Sequence, residues 1–379
     1  MSISLSDPRL VSILIPCRNE ENYIRPCLDS VRAFTLPEGV QLEILVLDGR
    51  STDRTRDLLT EIAVVDPRIR WIDNPGITQS CALNLGIRVA RGQWIMRLDA
   101  HTQYPADYLA QCHATALRTG AANTGGICIT QPGGSTYQAH LVQALTTHKF
   151  GVGDSGFRTG SAAEGPCDTV PFGFFRRDLF DAIGYFDERL VRAQDYEFNR
   201  RIRASGRAVW MNPAIHSSYY NQPTLCAFYQ KQFINEAPYN AYLWYIAPYA
   251  FAWRHAITGI FTFGILGGII LGPFYPRFIG IPFVAVMVLY AILAILSAFQ
   301  QAIRYKEPRH IFALPFVFFL YHLIHGFGLL AGILRLATLT APVGKIKEPW
   351  PGAGFFRIPV DEFRKAFVGI REGGSNESK

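Results

Sequence analysis

Three apolar runs close the chain, at residues 256–272, 278–299 and 311–334, and they limit its fold more than any other feature. Hydrocarbon offers no water to the backbone, so a spanning segment must pair its main-chain groups internally and is therefore helical unless it joins a closed barrel. At ~1.5 Å per residue the three runs would measure about 26, 33 and 36 Å as helices. A hydrocarbon core of ~30 Å accepts the second and third, and the first only marginally. The loop at 300–310 carries Arg304, Lys306 and Arg309 and is expected on the cytoplasmic side. The first two runs then form a hairpin attached to a cytosolic N-terminal domain. The third would export a tail that holds eight Lys and Arg from Arg335 onward. One run is therefore expected to be re-entrant or interfacial, with the third, broken near Gly326 and Gly328, as the candidate. His322 and His325 share a helix face, which suits interhelical hydrogen bonds or a polar pathway.

Charge separates the two parts of the chain. Residues 1–248 hold 24 basic and 24 acidic side chains, whereas residues 249–379 hold 13 and 6 and supply the whole net charge of +7. A balanced N-terminal body is not a nucleic-acid footprint, which clusters Lys and Arg on one face. A hydrophobic content of 49% with 18% charged residues excludes a disordered chain. The seven cysteines include no Cys-x-x-Cys pair and read as reduced thiols in a cytosolic domain. Residues 1–10 carry Asp7 and Arg9 and no apolar run, unlike a cleavable signal, so the first domain is expected in the cytoplasm. The aromatic stretch at 214–248 suits either a membrane interface or an ordinary packed helix pair. The expected division is a soluble domain at 1–235, an interfacial linker at 236–255, a membrane domain at 256–339 and a basic tail at 340–379.

The soluble part alternates short aliphatic strands with amphipathic helices. Strands are expected at 10–16, 42–48, 70–73 and 94–99, and helices at 20–33, 52–63 and 78–90. Pro26 should start the first helix late or kink it, and Ser51 or Thr52 should cap the second. This βαβα order predicts an α/β fold with a mostly parallel sheet and helices on both faces. Farther on, a helix is expected at 106–119, strands at 125–130 and 169–175, and a helix at 195–204. The glycine-rich stretch at 151–165 reads as a mobile loop or as ordinary surface.

Ligands in such sheets bind beyond the carboxyl ends of the strands, and each expected strand here ends on polar chemistry. Asn19 and Glu20 follow the first strand just past Pro16, while Asp48, Asp73 and Asp99 close the next three. Asp99 and His101, two residues apart, could hold one divalent cation from a tight turn, His101 favouring Mn²⁺ over Mg²⁺. Asp195 opens a later helix, as an acid stabilised by the helix terminus or as a general base.

Five motifs in order carry a resemblance: Ile15-Pro16-Cys17-Arg18-Asn19-Glu20, Asp48-Gly49-Arg50-Ser51-Thr52-Asp53, Ala82-Leu83-Asn84-Leu85-Gly86, Leu98-Asp99-Ala100-His101 and Gln194-Asp195. Over about residues 9–235 the chain resembles family-2 glycosyltransferases with the GT-A fold. Within them it is most similar to the membrane-attached glucosyltransferases of succinoglycan-type exopolysaccharide assembly. The resemblance implies that Pro16, Asn19, Glu20 and Asp48 line a nucleotide pocket, Asp48 reading the uracil edge, with Asn84 beside the ribose. It also implies Asp99 as the Mn²⁺ or Mg²⁺ carboxylate, Asp195 as base, and His216 near the diphosphate. The chain departs from the family where His101 replaces the usual second acid of the metal motif, Gly49 the acid after Asp48, and Gln194 the Glu before the base. No Gln-x-x-Arg-Trp signature of processive synthases occurs.

What the resemblance implies is an inverting, non-processive enzyme of a bacterial inner membrane with a cytoplasmic site. It would move one sugar, with glucose the first candidate, from a UDP-sugar to a polyprenyl-diphosphate-linked saccharide, alongside other polysaccharide-assembly proteins. Two alternatives stand beside it: a polyprenyl-phosphate sugar synthase of the dolichol-phosphate-mannose type, and a non-catalytic sugar-nucleotide-binding subunit. A dinucleotide oxidoreductase is disfavoured, because Asn19-Glu20-Glu21 stands where Gly-x-Gly-x-x-Gly would follow the first strand.

Overall fold

The computed structural model describes residues 7–160 and 163–343. Its sheet is built from β1 (Asp7–Cys17), β2 (Gln41–Asp48), β3 (Ile69–Asp73), β4 (Gly92–Arg97), β5 (Thr102–Gln103), β6 (Asn123–Gln131), β7 (Gly165–Pro166), β8 (Phe174–Arg176) and β9 (Val209–Tyr220). The strand order is β3-β2-β1-β4-β8-β6-β9-β5, with β7 paired to β9. Strands β3, β2, β1 and β4 run parallel, in a register that sets Cys17 beside Asp48 and Asp48 beside Asp73. Because the register aligns the strand ends, the polar residues after β1, β2 and β3 gather along one edge.

Helices cover both faces of this parallel half, which is why its strands are apolar on both sides. Val11, Ile13 and Ile15 pack with Ile24, Leu28 and Val31 of the helix Ile24–Arg32. On the opposite face Leu14, Leu45 and Leu47 pack with Leu83 and Ile87 of the helix Gln79–Val89. Each fully buried aliphatic side chain contributes about 1.5–3 kcal/mol.

The first helix starts late, as Pro26 implies: it begins at Ile24, so Pro26 falls in the first turn, where its missing N–H costs nothing. Two other local expectations change. Ser51 and Thr52 do not cap the next helix, which starts at Thr55; Asp53 accepts from the Thr55 amide at 3.0 Å instead, and Ser51 turns back to Asp48. The strand expected at 169–175 shrinks to β8, because Phe172 and Gly173 take left-handed φ values of 60° and 134°. At Gly173 a Cβ would lie 2.3 Å from the Phe175 ring. Strand β8 inserts antiparallel between β4 and β6, so the sheet is parallel on one side and mixed on the other.

Beyond β9 the chain forms the helix Leu225–Lys231, a π-helical stretch Gln232–Glu236 and the helix Ala237–Ile246. Three helices long and apolar enough to cross a membrane follow: Trp253–Leu271, Pro276–Tyr305 and His310–Ala337. The third is one helix, contrary to the expected break at Gly326 and Gly328. Those glycines are closest approaches instead. A Cβ at Gly326 would lie 2.0 Å from Thr262 Oγ1, and one at Gly328 would lie 2.8 Å from the Phe233 carbonyl. Small residues let helix backbones meet where lipid gives no hydrophobic drive between helices. His325 shares a hydrogen with Thr258 at 2.8 Å, and His322 with Tyr290 at 2.8 Å, so both histidines make interhelical bonds. Residues 161 and 162 of the glycine-rich loop, and the basic tail from residue 344 on, lie outside the described residues.

Candidate functional site

A cavity of about 1250 Å³ opens beyond β4 and runs to the membrane helices. Glu20, Asp99, His101 and Asp195 line it, and so do Tyr290, His322 and His325 of the membrane-type helices. Strand β4 stops at Arg97, so Asp99 sits in the turn after it. Its amide donates to the Tyr104 hydroxyl at 2.8 Å. Asp99 Oδ1 accepts from Arg97 Nη2 and from Gln79 Nε2, each at 3.0 Å; Oδ2 has no hydrogen bond among the described residues.

Arg97 joins the two acids that the sequence sets 96 positions apart. Its Nη1 lies 3.2 Å from Asp195 Oδ2, and its side chain is only 5% exposed. Asp195 occupies the first turn of the helix Gln194–Ala204, after Ala193 in a left-handed conformation, and its Oδ1 accepts from the Tyr196 amide at 2.9 Å. The Asp195 side chain is 37% exposed and that of Asp99 17%, so both can meet a ligand in the cavity. Burial pushes the Asp99 carboxyl up, but Arg97 and then His101 outweigh it and hold the group below its ordinary value. Burial opposes charge on His101, yet its 3.1 Å bond to Glu20 and the nearby Asp99 carboxylate favour the protonated ring. No cluster of three metal-ligating side chains occurs among the described residues.

The other candidates fall elsewhere. Asp48 is fully buried at the end of β2, bonded to Ser51 Oγ and Arg56 Nε, each at 2.5 Å. Arg56 also pairs with Asp73, so a base edge reaches Asp48 only if Arg56 is displaced. Asn19, at φ 57°, accepts from the Thr52 amide at 2.8 Å while its own amide donates to Ser51 Oγ at 2.9 Å. It ties the loop after β1 to the loop after β2. Pro16 is half-buried in β1 beside Leu47. Gly49 has no room for a side chain, since a Cβ would lie 2.7 Å from the Ile77 carbonyl.

Asn84 does not face the cavity. Its amide group bonds Phe186 O at 2.9 Å, Glu188 at 2.8 Å and the Phe186 amide at 3.0 Å; the residue is fully buried, and these bonds pin the helix Gln79–Val89 to the chain before Asp195. His216 is also off the cavity. It pairs with Ile127 in the β6–β9 ladder, whereas the cavity receives Cys128, Thr130 and Tyr219; alternation sends His216 to the opposite face. The reading of the sequence missed Arg97, Gln79 and the cations Lys149, Arg158 and Arg254 that line the cavity. For Arg97 the signal was present: an arginine inside the buried run Trp94-Ile95-Met96-Arg97-Leu98-Asp99 requires acidic partners.

A parallel half-sheet with acids at its strand ends, joined to a mixed half-sheet that brings a second acid opposite, is the architecture of nucleotide-diphospho-sugar transferases, the GT-A fold. The mannosyltransferase PcManGT from Pyrobaculum calidifontis, solved in complex with GDP-Man and Mn²⁺, shares it at a TM-score of 0.54 and 17% identity, over 84% of this chain and 87% of that one. Residues 12–184 match the family model Glycosyl transferase family 2, and this part of the chain is a glycosyltransferase domain of that family. The succinoglycan biosynthesis protein ExoA of Rhizobium meliloti (strain 1021) is 31% identical over 58% of this chain, an alignment that spans 66% of its own length. A Methanococcus voltae protein, dolichyl N-acetyl-alpha-D-glucosaminyl phosphate 3-beta-D-2,3-diacetamido-2,3-dideoxy-beta-D-glucuronosyltransferase, is 28% identical over 86% of this chain and 97% of its own.

Proposed function

We propose that this chain is an inverting, non-processive glycosyltransferase that moves one sugar from a UDP-sugar to a lipid-linked saccharide in exopolysaccharide assembly. Its catalytic domain would face the cytoplasm from a bacterial inner membrane. The observation that carries the reading is the cavity itself, lined both by Asp99 and Asp195 and by residues of three membrane-type helices. Such a space suits a polar donor and an acceptor presented from a bilayer. The name of the M. voltae relative describes transfer to a dolichyl-phosphate-linked sugar, which favours a lipid-linked saccharide over bare polyprenyl phosphate as acceptor. Glucose is the first donor sugar to test.

Asp195 would take the proton from the acceptor hydroxyl as it attacks the anomeric carbon, worth about 10²–10⁴-fold in rate. One carboxylate and one displacement invert the anomeric centre. The residues fit a divalent cation at Asp99, whose Oδ2 is open, with His101 Nε2 as a second donor when the ring is neutral. Two protein donors suffice for Mn²⁺ or Mg²⁺ that also takes diphosphate and water oxygens. Such an ion would neutralise charge growing on the leaving diphosphate. Arg97 keeps Asp99 ionised and fixes Asp195 toward the same space.

The test is transfer by the detergent-solubilised chain across UDP-glucose, UDP-galactose and GDP-mannose, with Mn²⁺, Mg²⁺ or EDTA. Asp195→Asn should abolish transfer while donor binding stays within threefold, and unchanged turnover in that variant would refute the assignment.

A further inference from the structure

A second hollow, an apolar groove of about 1090 Å³, lies between the segment 225–236 and the third membrane helix, with Tyr229 and Phe233 on one wall and Phe327, Leu330 and Ala331 on the other. The Tyr229 hydroxyl is spent on the Val317 carbonyl at 3.0 Å. Polar side-chain groups on the lining are then reduced to Gln230 and the exposed thiol of Cys226. The groove follows the third helix from Ile324 to Leu334, about 15 Å at ~1.5 Å per residue.

One segment divides this groove from the central cavity. Phe228, Lys231 and Asn235 line the cavity, Cys226, Tyr229 and Phe233 line the groove, and Gln230 lines both. Each set follows helical spacing, so the two sets lie on different faces of the segment. The π-helical stretch Gln232–Glu236 falls within the divide; such irregularities concentrate at functional sites. Charge adds a direction. Lys149 and Arg158 line the cavity and have no acidic partner among the described residues, and Lys231 only shares Glu236 with Arg192, each at 3.9 Å. Surplus cations on one side of Gln230 and an apolar trough on the other fit a molecule with an anionic head and a long hydrocarbon chain. A nucleotide sugar has no part that would fill the trough.

We propose that the groove holds the polyprenyl chain of the acceptor, with its phosphate on the cavity side of Gln230. This rests on the lipid-linked acceptor proposed above and adds where the chain lies. The first experiment uses the full wild-type chain in detergent and follows maleimide labelling of Cys226, with Cys226→Ser as background. Undecaprenyl phosphate should slow labelling about tenfold, whereas phosphatidylglycerol at the same concentration should not. Equal slowing by phosphatidylglycerol would make the groove ordinary lipid-facing surface and overturn the proposal, as would no slowing by undecaprenyl phosphate. In the second arm, Ala331→Trp should raise the KM for an undecaprenyl-linked saccharide about tenfold with donor KM and kcat unchanged. An unchanged acceptor KM overturns the proposal. If undecaprenyl phosphate protects Cys226 but no sugar reaches a lipid-linked saccharide, the acceptor reading falls and the groove stands. If transfer occurs without protection, the groove alone falls.

Discussion

Replacing Arg97 with Met removes one buried cation from two acids. Its guanidinium lies 3.0 Å from Asp99 and 3.2 Å from Asp195. A unit charge pair at ~4 Å is worth about 4 kcal/mol at an effective dielectric of ~20, but desolvation offsets much of that. The net value of a charge-assisted hydrogen bond is about 1.5–3 kcal/mol. Asp195 is the more exposed acid and therefore the better screened, so Asp99 should lose more. In the variant Asp99 keeps Gln79 but loses the main contribution that opposes its burial. Its carboxyl should rise, and the acid limb of the activity profile should move toward neutrality. If one such bond is missing from the transition state, kcat/KM falls about 10–150-fold. Arg97→Lys should fall in between, because an ammonium cannot fork to both acids. The assay is initial-rate sugar transfer across pH, with donor binding and melting temperature measured in parallel to separate a local loss from a folding failure. A well-folded Arg97→Met variant with kcat/KM within threefold of wild type and an unmoved acid limb would refute the reasoning.

Three further expectations concern stability. Asp66 is held at about 2 by Arg68 against the cost of its burial, with Arg32 assisting. Against an ordinary value of 3.8 this contributes about 2 kcal/mol at neutral pH. Because the folded value is the lower one, that stability is present above the unfolded value and is lost as pH falls through the folded one; the gap in melting temperature between wild type and Asp66→Asn should close over that window. Glu197 and Arg201 form a buried pair in which Arg201 also donates to the Tyr185 carbonyl at 2.7 Å. Arg201→Met alone should cost about 3–5 kcal/mol, and Glu197→Leu with it should recover part of that in thermal unfolding, since the single change leaves a buried carboxylate without its counter-ion, held by the Tyr249 hydroxyl. Gly326→Val should destabilise the membrane bundle by about 1–3 kcal/mol through overpacking against Thr262, read as a lower melting temperature in detergent.

Residues near one another in the chain were the most legible. Short aliphatic runs identified β1 to β4, because a strand buried on both faces needs apolar side chains at nearly every position. Acids at Asp48 and Asp99 pointed to the strand ends because polar groups cannot be placed there at no cost. The three membrane helices announced themselves by length and hydropathy. Asn84 and His216 show the limit: a motif position says which residue type is present, not where its hydrogen bonds go. For Asn84 they go to Phe186 and Glu188, about 100 positions away, and for His216 the strand's alternation decides the face.

Most element types, the acids available for chemistry and the apolar length of the membrane segments can be read from the chain, since these follow from local periodicity and composition. Folding sets β8 antiparallel beside β4, lets Arg97 bridge Asp99 and Asp195, makes Gly326 and Gly328 contacts rather than breaks, and puts the segment 225–236 between a polar cavity and an apolar groove. Each of these depends on which distant surfaces meet. That choice is made by burial and charge pairing summed over the whole molecule, and no local stretch of sequence contains it.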